Sequence, residues 1–403
     1  MNNKDEGITK GLTLPLYRGP YQYNGASPWY TQIGIGTPAQ QLKLAMDSGS
    51  NFNWISSSLS SVFNRQHYGG LCFDTNASST FKASKSGLKT VDFGPWGSMQ
   101  VCPGQEAITL DVADGMDEFT NEMYFSEKYS GSQFAELDWD GGIGIPSYSY
   151  QPVTGDTNKL QAYRGVHRTD VTTETSPFHF VESLLDNHII EDDSLYVSFQ
   201  TDPITKRGEV SFGRLDESYK DSLEYLHLRW KQVPGEKLKS LYYIWTTPMQ
   251  SLSIGDKQIV KADANQPLSF CLDSGSSLFK GDPDIMLRAY CQASLTNGDL
   301  KIELDSDSSG NNQSLTIPSS LYNVEIEAGA LLGETFAQFQ PMAGLNGITL
   351  VGSVLMDHLY CVYEYKVDKK NNNRIFPAGM WLFNKPNGVK IITQEKAKPA
   401  PIF

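Results

Sequence analysis

Leu44-Ala45-Met46-Asp47-Ser48-Gly49-Ser50 and Phe270-Cys271-Leu272-Asp273-Ser274-Gly275-Ser276 are two apolar runs that enter the same four residues, Asp-Ser-Gly-Ser. A single Asp-Ser-Gly is common turn chemistry, because both polar side chains bond to nearby backbone. Two copies behind apolar strands need another explanation, since each is answered downstream by an apolar segment containing glycine. Gly144, in Gly142-Ile143-Gly144-Ile145, follows Asp47 by 97 residues, and Gly352, in Leu350-Val351-Gly352-Ser353, follows Asp273 by 79. A repeat at this range outranks local signals. The chain therefore reads as two related halves, residues 1–215 around Asp47 and residues 216–403 around Asp273.

The composition agrees with a folded, strand-rich and turn-rich protein. Of 403 residues, 39% are hydrophobic and 20% charged, with 20 Tyr, 19 Phe and 35 Gly, a balance able to bury a large core. The net charge of −13 leaves no basic surplus to neutralise phosphates, which argues against a nucleic-acid partner. No apolar run approaches the roughly 18 residues that span a bilayer, so no membrane partner is expected. The N-terminus, Met1-Asn2-Asn3-Lys4-Asp5-Glu6, is polar where a signal peptide would be apolar. Cys72, Cys102, Cys271, Cys291 and Cys361 are odd in number and scattered, with no close pair for zinc. The expectation is a soluble, signal-less protein of a reducing compartment such as the cytoplasm, and a monomer; the alternative is a secreted form whose signal has been removed.

Local signals are mainly those of strands. Ile33-Gly34-Ile35-Gly36-Thr37-Pro38 predicts a hairpin turn leading into a strand over 41–46. Three helices are expected: one opened by Ser176-Pro177 and continued through Phe178, Val181, Leu184 and Leu185; one opened by Asp282-Pro283 through Ile285, Leu287 and Tyr290; and a short one after Gly352 through Val354, Leu355 and His358. Residues 305–313 and 368–374 read as polar loops.

Paired aspartates suit a defined chemistry. Hydrolysing an amide without a metal or a nucleophilic side chain needs one group to deprotonate water and another to polarise the carbonyl. Two carboxylates sharing one proton supply both, because like charges in close contact cannot both ionise. In this reading Asp47 and Asp273 are the catalytic residues. Gly49 and Gly275 let the opposite loop approach, Ser48 and Ser274 hydrogen-bond across the pseudo-twofold axis, and Ser50 and Ser276 donate to the outer carboxylate oxygens. No cofactor and no metal are called for.

Several segments resemble pepsin-family aspartic peptidases: Ile33-Gly34-Ile35-Gly36-Thr37-Pro38-Ala39-Gln40 running to Asp47-Ser48-Gly49-Ser50, with Trp54 seven residues after Asp47; Asp140-Gly141-Gly142-Ile143-Gly144; residues 176–199 and 208–213; Asp273-Ser274-Gly275-Ser276-Ser277-Leu278; and Val351-Gly352-Ser353-Val354-Leu355-Met356 with residues 360–365. The resemblance spans roughly residues 12–385. It implies an all-β, two-lobed fold with a central interlobe sheet and a few short helices. It also implies a polypeptide substrate with apolar residues beside the scissile bond, and a hairpin flap from the N-terminal lobe over the cleft. The flap departs from the family's Tyr-Gly pattern: the sequence there is Asp92-Phe93-Gly94-Pro95-Trp96-Gly97-Ser98-Met99. Two registers are open, one placing Phe93 beside Gly94 at the tyrosine position and one placing Trp96 nearer the tip; with Trp54 these residues are the candidate flap and substrate-binding set.

A second departure lies at the N-terminus. Leu12-Thr13-Leu14-Pro15-Leu16-Tyr17-Arg18 resembles the strand that begins family zymogens, but Pro28-Trp29-Tyr30 follows with no room for a basic inhibitory helix. The expectation is a permanent strand with Leu12, Leu14 and Leu16 on one buried face, in a form similar to the pepsin-like proteins of bacteria. Other motifs are weaker. Gly34-Ile35-Gly36 imitates a dinucleotide loop but has Pro38 inside the spacing, and Asp305, Asp307 and Gly310 imitate a calcium loop but lack its closing Glu. Asn76-Ala77-Ser78 and Asn312-Gln313-Ser314 are glycosylation sequons, usable only on a secreted protein. The altered flap supports one rival function, a non-catalytic peptide-binding or inhibitory protein on the same scaffold.

Overall fold

The computed structural model describes residues 11–59, 71–85, 87–92, 98–112, 115–129, 137–148, 180–191, 194–234, 241–307, 310–368 and 374–403. Strands dominate these residues, with four α-helices among them. They form a fourteen-stranded sheet, an eight-stranded sheet and a two-stranded ribbon, the all-β two-lobed architecture expected of the family.

The predicted hairpin is present. Trp29–Ile35 and Gln40–Asp47 pair antiparallel from Thr31–Leu44 to Ile35–Gln40, and Gly36 sits in the turn at φ +84°, where a side chain would be strained. The second strand carries Leu42, Leu44, Ala45 and Met46 into the core and ends on Asp47. In the other half Leu268–Leu272 is buried along its whole length and delivers Asp273. Strands covered on both faces read as continuous apolar runs.

Each aspartate-bearing strand is backed by the glycine segment that the repeat singled out. Gly141–Gly144 lies parallel to residues 44–47, with Gly144 opposite Asp47, and antiparallel to Trp54 and Ile55. Ile348–Val351 lies parallel to residues 269–272 and antiparallel to Phe279–Gly281. A Cβ on Gly144 would stand 2.8 Å from the Ser50 carbonyl, and one on Gly352 would stand 2.2 Å from the Ser276 carbonyl. The two glycines thus make the same close approach beneath the two loops, which is why the repeat keeps them.

Strand Leu12–Arg18 pairs along its length with Arg207–Phe212. Leu12, Leu14 and Leu16 are buried on one face, each burial stabilising by about 1.5–3 kcal/mol. Pro15 is exposed, and pairing on the strand's other flank, to Trp29 and Tyr30, begins only at Tyr17. Proline is tolerated there because no ladder donor is required on that flank. From Arg207–Phe212 the sheet continues through Ser194–Asp202 to Leu359–Asp368, Arg374–Asn384 and Tyr225–Arg229. One sheet therefore carries strands from both ends of the chain.

Helix Pro283–Thr296 starts as read: Asp282 caps it by accepting from the Asp284 and Ile285 amides, with Pro283 in the first turn. Helix Phe180–Asp186 buries Val181, Leu184 and Leu185; its expected Ser176-Pro177 opening lies outside the described residues. The short helix after Gly352 is Ser353–Met356 and stops before His358. Cys102, Cys271, Cys291 and Cys361 are free thiols.

Candidate active site

The two Asp-Ser-Gly-Ser turns meet face to face and exchange matching hydrogen bonds. The Ser48 amide donates to Ser274 Oγ, and the Ser274 amide donates to Ser48 Oγ, both at 2.9 Å. Ser274 Oγ donates to the Met46 carbonyl at 2.6 Å, while Ser48 Oγ contacts the Leu272 carbonyl at 3.3 Å. These bonds are fully buried, so breaking one leaves an unpaired amide at a cost of about 1–3 kcal/mol. The turns are thereby fixed relative to each other.

Within each turn the carboxylate is held the same way. The Gly49 amide donates to Asp47 Oδ1 at 2.8 Å, and the Gly275 amide to Asp273 Oδ1 at 2.9 Å. Ser276 Oγ donates to Asp273 Oδ2 at 2.7 Å, and Ser50 Oγ donates to Asp47 Oδ2. Each carboxylate rests on the opposite glycine: a Cβ on Gly49 would lie 2.6 Å from Asp273 Oδ1, and one on Gly275 would lie 2.2 Å from Asp47 Oδ1. No side chain fits at either position without forcing the carboxylates apart.

The Asp47 carboxyl is raised above its ordinary range, first by lost hydration and then by the negative charge of Asp273; hydrogen bonds from Ser50 and Gly49 pull it partly back. The pair therefore keeps a proton to higher pH than an isolated aspartate. Proton donor and proton acceptor then stand side by side.

Trp54 is buried beside the first loop, packed with Ala45, Met99, Val101, Tyr124 and Trp139. Met99 and Val101 belong to the long arm of a hairpin in which Lys89–Asp92 pairs with Ser98–Val101. Its tip, with Phe93, Gly94 and Trp96, lies outside the described residues. Trp54 thus anchors the base of the expected flap hairpin.

Three side chains at the site had no role in the sequence reading. Tyr363, on strand Leu359–Asp368, shares a 2.9 Å hydrogen bond with Ser48 Oγ and reaches the Leu272 carbonyl at 3.4 Å, so the strand beneath both turns is tied to each. Burial pushes its phenol well up. Tyr243 lies close enough to the pair that its phenol, raised mainly by burial and then by Tyr242, is raised further by both aspartates. Lys280 is 2% exposed and donates to Ser276 Oγ at 3.0 Å and to the Gly25 carbonyl. Its place could have been read by aligning the halves on their aspartates, since Lys280 stands seven residues after Asp273 as Trp54 stands seven after Asp47.

Among the described residues no group of His, Cys, Asp or Glu could hold a metal ion, and no helix is long and apolar enough to cross a membrane.

Comparison with known proteins agrees with this geometry. The chain is similar to pepsin-3 of Oryctolagus cuniculus, 26% identical over 355 residues that cover 85% of this chain and 79% of the rabbit protein. It is 24% identical to pepsin A of Callithrix jacchus over 363 residues, 85% of this chain and 79% of that one. It is 23% identical to vacuolar protease A of Neurospora crassa over 354 residues, 84% of this chain and 76% of the fungal one. The family model described as eukaryotic aspartyl protease matches residues 28–375. With that match spanning both facing turns and most of the chain, the chain belongs to the eukaryotic aspartyl protease family.

Proposed function

We propose that the protein is an endopeptidase in which Asp47 and Asp273, acting as one unit, activate water against a peptide bond. The reading is carried by one observation: each carboxylate rests on the glycine of the opposite turn, within a framework locked by the reciprocal Ser48 and Ser274 bonds. The ionised carboxylate takes a proton from water while the water oxygen bonds to the carbonyl carbon. The protonated carboxyl gives its proton to the carbonyl oxygen. The tetrahedral adduct, a geminal diol, then collapses: the nitrogen takes the pair's proton as the C–N bond breaks, and one adduct hydroxyl gives its proton to the ionised pair as the carbonyl re-forms, restoring the singly protonated state. Ser50 and Ser276 hold the outer oxygens, so little reorganisation accompanies each transfer.

The N-terminal lobe, residues 1–215, would supply the first aspartate and the flap, and residues 216–403 the second aspartate. A preference for apolar residues beside the scissile bond is supported by the half-buried Tyr30, Phe52 and Val91 that fringe the Trp54 cluster. The test is incubation with a denatured protein across acidic to neutral pH, with and without a statine-type transition-state inhibitor. Inhibitor-sensitive cleavage is expected. Tight peptide or inhibitor binding without cleavage at any pH would overturn this reading in favour of a non-catalytic binding protein.

A further inference from the structure

The two halves present the same turn to the centre but differ at the seventh residue after each aspartate. In the first half that residue is Trp54, enclosed by apolar side chains. In the second it is Lys280, a cation buried in the middle of strand Phe279–Gly281. Burying an ammonium is costly unless its donors and its charge are matched. Two donors are matched by the Gly25 carbonyl and Ser276 Oγ. Its charge is matched by Asp273 and, to a smaller degree, Asp47, the charged groups that act on it; nearby stands the neutral amide of Gln340, which with the lysine crowds Gly25.

The contact with Ser276 sets a direction. An ammonium has no lone pair to offer, so Ser276 Oγ must accept from Lys280 and must spend its own proton elsewhere. The partner in reach is Asp273 Oδ2, at 2.7 Å. On the other side of the dyad Ser50 donates to Asp47, and the residue that corresponds to the lysine is an indole.

We propose that Lys280 is a positioning residue of the dyad: by donating to Ser276 it commits that hydroxyl to Asp273, and its charge favours the singly ionised pair, setting the working pH range lower than the two aspartates alone would have. The inference rests on the peptidase reading above. Lost hydration lowers the lysine to about 8, with the two aspartates opposing the fall, so it is a cation throughout the acidic range. A fixed cation makes each deprotonation of the pair easier. Its removal must therefore move the acid limb of the pH profile upward.

The experiment compares wild type with Lys280→Gln, which keeps a donor but no charge, and Lys280→Met, which keeps neither. kcat/KM on a peptide substrate is measured between about pH 3 and pH 8, alongside a direct titration of the aspartate carboxyls by 13C NMR; a rise of about one unit in the acid limb and in the first dyad titration is expected in both variants, the low end of what a close opposite charge does. Profiles and titrations that superimpose on wild type overturn the proposal. Should the wild type cleave nothing, the peptidase reading fails, while the carboxyl titration still decides the role of Lys280. Should the lysine variants not fold, Ser276→Ala is compared with Ser50→Ala. A larger upward shift for Ser276→Ala supports the proposal, because that hydroxyl and not Ser50 is the one the lysine commits to its aspartate, and equal shifts overturn it.

Discussion

Replacing Asp47 with asparagine should remove activity and, at neutral pH, make the protein more stable. The asparagine oxygen can still accept from the Gly49 amide, as Asp47 Oδ1 does, and its NH2, standing in for Oδ2, can donate to Ser50 Oγ. In the wild type folding raises the Asp47 carboxyl above its ordinary value, first by lost hydration and then by the charge of Asp273. A carboxyl raised on folding contributes full stability only below its unfolded value, and that stability is lost as pH rises toward the folded one. Above the unfolded value, each unit of pH at which the pair still keeps its proton costs about 1.4 kcal/mol. Asparagine has no such cost, and for a chain of 403 residues each such unit corresponds to a Tm rise of roughly 1.5 °C. Scanning calorimetry of wild type and Asp47→Asn at about pH 7 and pH 3.5 tests this, because the gain should vanish at the lower pH. Peptide cleavage should meanwhile fall by ~10²-fold or more. A variant less stable than wild type at neutral pH, or a gain that persists in acid, would refute the assignment of the raised carboxyl.

Gly275→Ala places a Cβ 2.2 Å from Asp47 Oδ1; the carboxylates must separate, and kcat/KM should drop by about 10²-fold with the far-ultraviolet spectrum unchanged, so near-normal turnover would show that close approach is not required. Tyr363→Phe removes the hydroxyl shared with Ser48 and should lower unfolding free energy by about 1–2 kcal/mol in a denaturant titration, with a smaller loss of activity than any aspartate variant; no change in either would mean that the turns hold without the strand beneath them. Turnover itself should be highest in acid and decline as pH passes the upper titration of the pair, since the doubly ionised form has no proton to donate; kcat/KM that climbs steadily through neutral pH would contradict a shared-proton pair. Stability should follow the same sense, because Asp357, hydrogen-bonded to Trp29 and Thr201, is raised to about 6 by burial and loses its contribution as pH rises from the unfolded value through the folded one; thermal scans against pH that show greatest stability near neutrality would count against it.

The parts of the site legible in the sequence are those whose chemistry forces a residue type at a fixed place. Asp47 and Asp273 stand out because each ends a buried strand. Gly49, Gly275, Gly144 and Gly352 stand out because a Cβ at any of them would strike the opposite carboxylate or the loop's own carbonyls. Leu12, Leu14 and Leu16 were readable from a period of two. Tyr363 was not, since it arrives from a strand 90 residues after Asp273 in sequence, and nothing in the alternation of residues 360–365 distinguishes a tyrosine that fills core from one whose hydroxyl ties two turns together. The flap tip offered two registers because aromatic residues and glycines recur there without a spacing that fixes either one.

Lys280 shows a different limit. A lysine following an apolar run ordinarily marks the surface end of a strand, and it becomes informative only when the halves are superposed on their aspartates. The superposition then explains more than the lysine. A strictly twofold pair, with identical hydrogen bonds to both carboxylates, would give no reason for the shared proton to favour either side. The hydrogen bonds here are nearly identical, glycine amide for glycine amide and serine for serine, so any bias must come from outside the turns. Trp54 contributes an apolar wall behind the first turn, and Lys280 contributes a cation that reaches the second through Ser276 and acts on Asp273 more than on Asp47. An apolar surround disfavours ionisation and a nearby cation favours it. Both differences therefore point the same way, toward two unlike surrounds for the carboxylates, while the two turns that carry them stay alike.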